Sequence, residues 1–201
     1  SAVDKTLDAE KLRDLHSHIA ESYIKAVPKG TELKKVDNLF SIVEHLNKGR
    51  KQKPEKAIRY RDAKLNYHAG EKAVDALALE AANRFFKECQ MLLPEDSWDT
   101  NYEFTFKVYK SLARSELTRG NQEESEVLLN LLLEKSITDL DRVECLYEQT
   151  AGFSSLGYFE NAIETANRGL AFFDKAIPKD DVLILSKSFL IYYCRSLAVL
   201  S

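Results

Sequence analysis

Glycine and proline are scarce in this chain, with seven and four among 201 residues. An all-β fold of this length needs many tight turns, and tight turns draw on those two residues. Their scarcity therefore points to long helices with short connections. Cysteine is scarce as well. Cys89, Cys145 and Cys194 are odd in number and far apart, and no CxxC occurs, which excludes a disulfide framework or a zinc ribbon. Reduced, buried thiols in a cytoplasmic protein are the expectation. Positive charge is not in excess: 29 Lys and Arg stand against 32 Asp and Glu, for a net charge of −3. The chain as a whole thus has no attraction for nucleic acid or anionic lipid. No stretch alternates apolar and polar residues long enough to suggest a strand. No charged-then-apolar leader follows Ser1, and the expectation is a piece excised from a longer polypeptide.

What the chain does have is apolar spacing of three and four. Apolar residues make up 44% of it, and they fall on helical stripes. Leu12, Leu15, Ile19, Tyr23 and Ile24 mark a first helix over about 8–27, stopped by Pro28 and Gly30. Val36, Leu39, Phe40, Val43 and Leu46 mark a second over 33–47. A third starts near Glu55, with Gly70 expected as a bend. A fourth ends before Pro94. Asp96 or Ser97 is placed to cap the next helix, because a short side-chain oxygen satisfies free backbone N–H groups. The remaining pattern gives the pairs 97–135 and 139–175 and a terminal helix over 181–200. The expectation is one helical domain, made of pairs at about 8–47, 55–93, 97–135 and 139–175 plus that last helix. The last helix is unusually apolar, but Lys187 and Arg195 argue against a membrane span. Its exposed stripe, including Phe189, Leu190 and Tyr193, is expected to pair with a second copy in a homodimer.

Two turns repeat. Leu117-Thr118-Arg119-Gly120-Asn121 and Ser155-Leu156-Gly157-Tyr158-Phe159 each join two amphipathic helices, and the two glycines lie 37 positions apart. That spacing resembles the 34-residue period of tetratricopeptide repeats. Aligned on Gly157, Phe159 takes the aromatic position and Ala162 the small position where two helices touch. Aligned on Gly120, Tyr109, Leu112 and Ala113 fit, while Ser125 replaces the small alanine. In the earlier pair Ala82, Phe86 and Pro94 fit, and Leu77 stands where glycine is expected. The resemblance implies an all-α fold, an α-solenoid of antiparallel helix pairs in a tetratricopeptide-like superhelix.

A second resemblance covers about residues 8–175. It is carried by Asn38-Leu39-Phe40-Ser41-Ile42-Val43-Glu44-His45-Leu46-Asn47-Lys48-Gly49, by Leu65-Asn66-Tyr67-His68-Ala69-Gly70-Glu71-Lys72-Ala73, and by Leu92-Leu93-Pro94-Glu95-Asp96-Ser97-Trp98. In order and spacing these blocks are similar to the helical repeat region of large bacterial multidomain signalling kinases. There a protein-kinase-like region and a STAND-type AAA ATPase precede the repeats, and a GAF sensor and a histidine kinase often follow. The resemblance implies no catalytic residue here, because that family carries its chemistry outside this region.

The residues themselves offer little chemistry. Gly70-Glu71-Lys72 and Gly49-Arg50-Lys51 lack the glycine loop and strand that a phosphate cradle needs, so no nucleotide cofactor is expected. His16 and His18 are two apart and point to different sides of a helix, while His45 and His68 look isolated, so no metal site is expected. Cys89 and Cys145 lie in apolar stripes, where burial keeps a thiol inert. Lys48, Arg50, Lys51, Lys53 and Lys56 surround a loop with no aromatic residue to stack on bases, and read as a solvated connection rather than a nucleic-acid site.

Protein contact is the remaining class. Inner helices of a solenoid line a concave groove. Lys107, Lys110 and Arg114 are expected to project from one such helix, and Glu144, Tyr147 and Glu148 from the next. Lys110 would suit a clamp for a peptide carboxylate, but Glu148 would repel one. The expected function is thus a non-catalytic interaction or signal-relay scaffold within a multidomain kinase or ATPase regulator, its partners being neighbouring domains of the same polypeptide. A stand-alone tetratricopeptide-type adaptor is the alternative, and a helical-bundle enzyme a third reading.

Overall fold

Why the chain breaks into helices where it does is clearest at their ends. The computed structural model describes residues 8–50 and 55–172. Its first helix, α1 (Ala9–Ala26), starts where the Asp8 carboxylate accepts from the Lys11 N–H at 2.8 Å, and it closes two residues before Pro28. The expected second helix is shorter than its apolar stripe. A 3-10 turn at Leu33–Lys35 comes first, and α2 (Leu39–Lys48) begins only after Asn38. The α3 helix (Lys56–Asp75) and α4 (Leu79–Leu92) follow, then one turn, α5 (Ser97–Thr100), and the long α6 (Tyr102–Thr118). The last three are α7 (Gln122–Lys135), α8 (Asp139–Ser155) and α9 (Phe159–Ala171). Thr138 and Asp141 form a capping box at the start of α8, each side chain accepting from the other's backbone N–H. Among the described residues the fold is all-α, with no strand. The expected terminal helix over 181–200 and the dimer it would mediate lie outside the described residues.

Three of the tight turns are built alike. Leu77, Gly120 and Gly157 have φ of 57°, 85° and 82°. The next residue closes each turn: Ala78 N–H donates to Ala73 C=O, Asn121 to Glu116 and Tyr158 to Phe153, all at 2.9 Å. This is the left-handed helix ending that glycine adopts freely. At Leu77 a branched side chain takes it instead, with 83% of its surface exposed.

Gly70 is not a bend. The α3 helix runs straight through it. A Cβ there would lie 2.4 Å from the Phe86 ring, so the glycine makes room for α4 to approach. Ala63, Ala69 and Ala73 of α3 are also fully buried, and so nearly are Phe85, Phe86 and Cys89 of α4. Small residues on one helix and bulky ones on the other give close packing. The pair is antiparallel: Arg59 donates to Leu93 C=O at 3.0 Å near one end, and Tyr67 and Gly70 meet Phe86 further along.

The expected cap at Asp96 is also corrected. Asp96 makes no side-chain cap bond. Its carboxylate instead accepts from Lys56 Nζ at 2.7 Å, and the helix breaks at Asn101 before α6 resumes.

By packing, the chain divides into two compact units, Ser1–Val108 and Tyr109–Ser201, with the boundary inside α6. The core of the first is Leu39, Ile42, Val43, Leu46, Leu65, Phe85 and Phe86 with the small residues of α3. The core of the second is Leu112, Leu128, Leu129, Leu132, Leu146 and Leu170. There α8 and α9 pack closely, with Ala162, Ala166 and Leu170 against Phe153 and Ile163.

Candidate interaction face

The six residues expected on a concave face fall on α6 and α8. Four of them meet in pairs within the second unit. The Arg114 guanidinium forks onto the Glu148 carboxylate: Nε donates to Oε2 at 3.0 Å, and Nη2 lies 2.8 Å from Oε1. Lys110 donates to Glu144 one helical turn earlier. Both pairs span 34 positions, so they join α6 and α8 at the same sequence offset. Glu148 is the buried member of its pair, its side chain 7% exposed against 61% for Arg114. Its negative charge is therefore met from within the chain rather than presented to a ligand. Tyr147 lies between the two glutamates, half-buried. Lys107 is exposed on α6 and belongs to the first unit.

In the first unit, matching pairs span 40 positions. Arg61 of α3 forks onto Glu21 of α1 at 2.6 and 3.1 Å. Arg84 of α4 pairs with Glu44 of α2. Helix pair α1–α2 is thus followed by α3–α4 at a constant sequence offset. Asn47 and Asn66 exchange amide hydrogen bonds at 2.8 and 3.1 Å. Arg50 joins them by donating to Asn47 and to Glu88. Of the basic residues at the α2–α3 connection, Arg50 pairs inward with Glu88, while Lys56 stays exposed in its pair with Asp96.

His45 is not isolated. Its Nδ1 lies 2.7 Å from Nδ1 of His16. Sequence reading missed this contact because the rings are 29 positions apart, on different helices. His18 instead bonds the Asp14 carbonyl, and His68 bonds Glu71.

The titrating groups are set by burial and by these partners. Burial pushes the Cys145 thiol up to about 12, and raises Cys89 still further. Both therefore stay protonated and unreactive at neutral pH. Burial also raises Asp62, against the pull of Arg61, while Lys56 lowers Asp96. Among the described residues, no three or more His, Cys, Asp or Glu side chains converge to hold a metal ion. No described helix is long and apolar enough to cross a membrane.

The arrangement is one of packed helices carrying cross-helix ion pairs, at 34 positions in the second unit and 40 in the first. No known family's sequence model matches the chain, and no solved structure matches it. The chain is similar to a Dictyostelium discoideum protein described as "Hybrid signal transduction histidine kinase G". The two are 27% identical over 136 residues, an alignment covering 63% of this chain and 4% of that protein. That relative comes from Dictyostelium rather than a bacterium, and the chain spans only a small part of its length.

Proposed function

We propose that this chain is a non-catalytic helical-repeat scaffold, one segment of a large multidomain signalling protein, working through contacts with other parts of the same polypeptide. The observation that carries this reading is the pairing of Lys110 with Glu144 and Arg114 with Glu148 at a 34-residue step. A tetratricopeptide-like solenoid superimposes equivalent positions of successive helices at that step, and each helix pair buries its apolar face only on its neighbours. The recurring turn at Leu77, Gly120 and Gly157 supports the same architecture. The kinase setting is supported by the Dictyostelium relative, of which this chain matches a small part.

In this reading Tyr147 makes the outward contact, because the four charges beside it are engaged with one another. A partner surface of protein, rather than nucleic acid or lipid, suits a face whose charges cancel. The reading is tested by adding the purified chain in trans to the remainder of its polypeptide. Micromolar binding, weakened about tenfold by Tyr147→Ala, is the expected result. No binding, or binding indifferent to that change, contradicts it.

A further inference from the structure

The α1 helix is lightly buried. Of its 18 residues only Ala20 is fully buried, and Leu15 and Tyr23 are about two-fifths exposed. Apolar burial scales with area removed from water, so it holds this helix weakly. Two polar contacts also hold it. One is the Arg61–Glu21 fork to α3. The other is the contact of His16 with His45 on α2. Beside it the backbones come close, for a Cβ on Gly49 would lie 2.4 Å from the Ser17 nitrogen.

The two imidazoles meet head-on. Their Nδ1 atoms are 2.7 Å apart and their ring centroids 4.9 Å apart. That centroid spacing is nearly the nitrogen gap plus one ring radius on each side, so each nitrogen's in-plane direction points at the other. The gap accommodates a proton. A metal ion on that line would sit about 2.0–2.1 Å from each nitrogen, which needs a wider opening. One ring therefore donates its Nδ1–H and the other accepts.

This geometry distinguishes the next two protons. A first added proton goes to the free Nε2 of the donor ring, and the Nδ1–H···Nδ1 bond becomes charge-assisted and stronger. A second must go to the accepting Nδ1. It removes the acceptor and sets two N–H groups and two positive charges face to face.

We propose that His16 and His45 form a proton-operated latch, which docks α1 on α2 at neutral pH and releases it when the pair takes its second proton. Burial, then His16 and Lys48, hold His45 below the ordinary imidazole range, and Glu44 opposes them. The Tyr23 ring also lies beside the pair, its centroid 6.2 Å from that of His45. The Glu21–Arg61–Asp62 cluster ties α1 to α3 without involving either ring. The sign follows. The docked state binds the second proton less readily than the released state, so docking is complete above about pH 6.5 and is lost as pH falls below it. The docking equilibrium changes by up to about tenfold per pH unit.

Two measurements on the full chain test the latch: ring-proton titration of His16 and His45 by NMR, and amide hydrogen exchange over residues 9–26 from about pH 7.5 to about pH 5, corrected for intrinsic rates. The expected result is that α1 exchange rises as the pH falls below about 6.5, in step with the ring signals of the His16–His45 pair. His16→Asn keeps an oxygen acceptor for His45 but removes the second charge, so α1 should stay protected across the range. Independent ring titrations near the ordinary value, or α1 protection unchanged down to about pH 5, would overturn the latch. If His16→Asn leaves α1 unprotected at every pH, the wild-type ring titrations alone decide the question.

Discussion

Arg114 and Glu148, 34 positions apart on α6 and α8, form a forked ion pair in which the carboxylate is buried and the guanidinium is largely exposed. The asymmetry decides what each substitution costs. Exposed ion pairs contribute about 0–1 kcal/mol. Leaving a buried charged group without its partner costs about 1–3 kcal/mol or more. Arg114→Met is therefore expected to destabilise the chain by about 2 kcal/mol in urea melts. Lys110→Met, whose partner Glu144 is two-fifths exposed, should cost less than about 1 kcal/mol. Equal losses would mean that Glu148 is solvated.

Leu77 and the two turn glycines give a prediction of opposite signs. A left-handed backbone costs a side-chain-bearing residue about 1–2 kcal/mol. Leu77→Gly should stabilise by about 1 kcal/mol, because this side chain buries little. Gly120→Ala and Gly157→Ala should each destabilise by a similar amount. At neither glycine would the added Cβ meet anything within 4 Å, so the loss is purely conformational. Thermal melts of the three variants, read against the parent, check both signs.

Gly70→Ala acts through space rather than backbone. Its Cβ would fall 2.4 Å from Phe86 Cε1, and the ring is itself 2% exposed with little room to move. Overpacking of this kind costs about 1–3 kcal/mol. Gly70→Ala combined with Phe86→Leu should lose less than the two changes summed. An unchanged melt for Gly70→Ala alone would show that α4 sits further off.

The Cys145 thiol, raised to about 12 by burial, should resist alkylation. Only the thiolate is nucleophilic, so at about pH 8 iodoacetamide should modify Cys145 and Cys89 far more slowly than a free thiol. Urea should bring both to the free rate. Peptide mass mapping distinguishes the sites. Fast labelling of Cys145 in the folded chain would contradict its burial.

Helix ends were legible wherever the signal is local. Pro28 and Pro94 cannot continue a helix, and Gly120 and Gly157 take the left-handed ending that few other residues adopt, so their positions mark the chain directly. Leu77 was legible as a departure from that pattern, and it holds the glycine conformation all the same. Gly70 was not, because a glycine inside a helix serves equally as a bend or as a gap, and Phe86 sixteen residues later decides which. Asp96 had the right chemistry for a cap, but Lys56 of another helix holds its carboxylate. The candidate face divides the same way. Its residues could be placed on α6 and α8 by helical spacing alone. That their charges satisfy one another depends on the register of the two helices, which the turn at Gly120 sets together with the length of α7. The His16–His45 contact left no trace in spacing, since it joins two helices through side chains of the same type.

The central claim is that the α6–α8 face makes protein contacts within a larger polypeptide. Crosslinking mass spectrometry with a lysine-reactive reagent, applied to the intact polypeptide that carries this segment, tests it most directly. Crosslinks from Lys110 to lysines outside the segment, reduced by Tyr147→Ala, are the expected result. Crosslinks from Lys110 confined to the segment itself would contradict it.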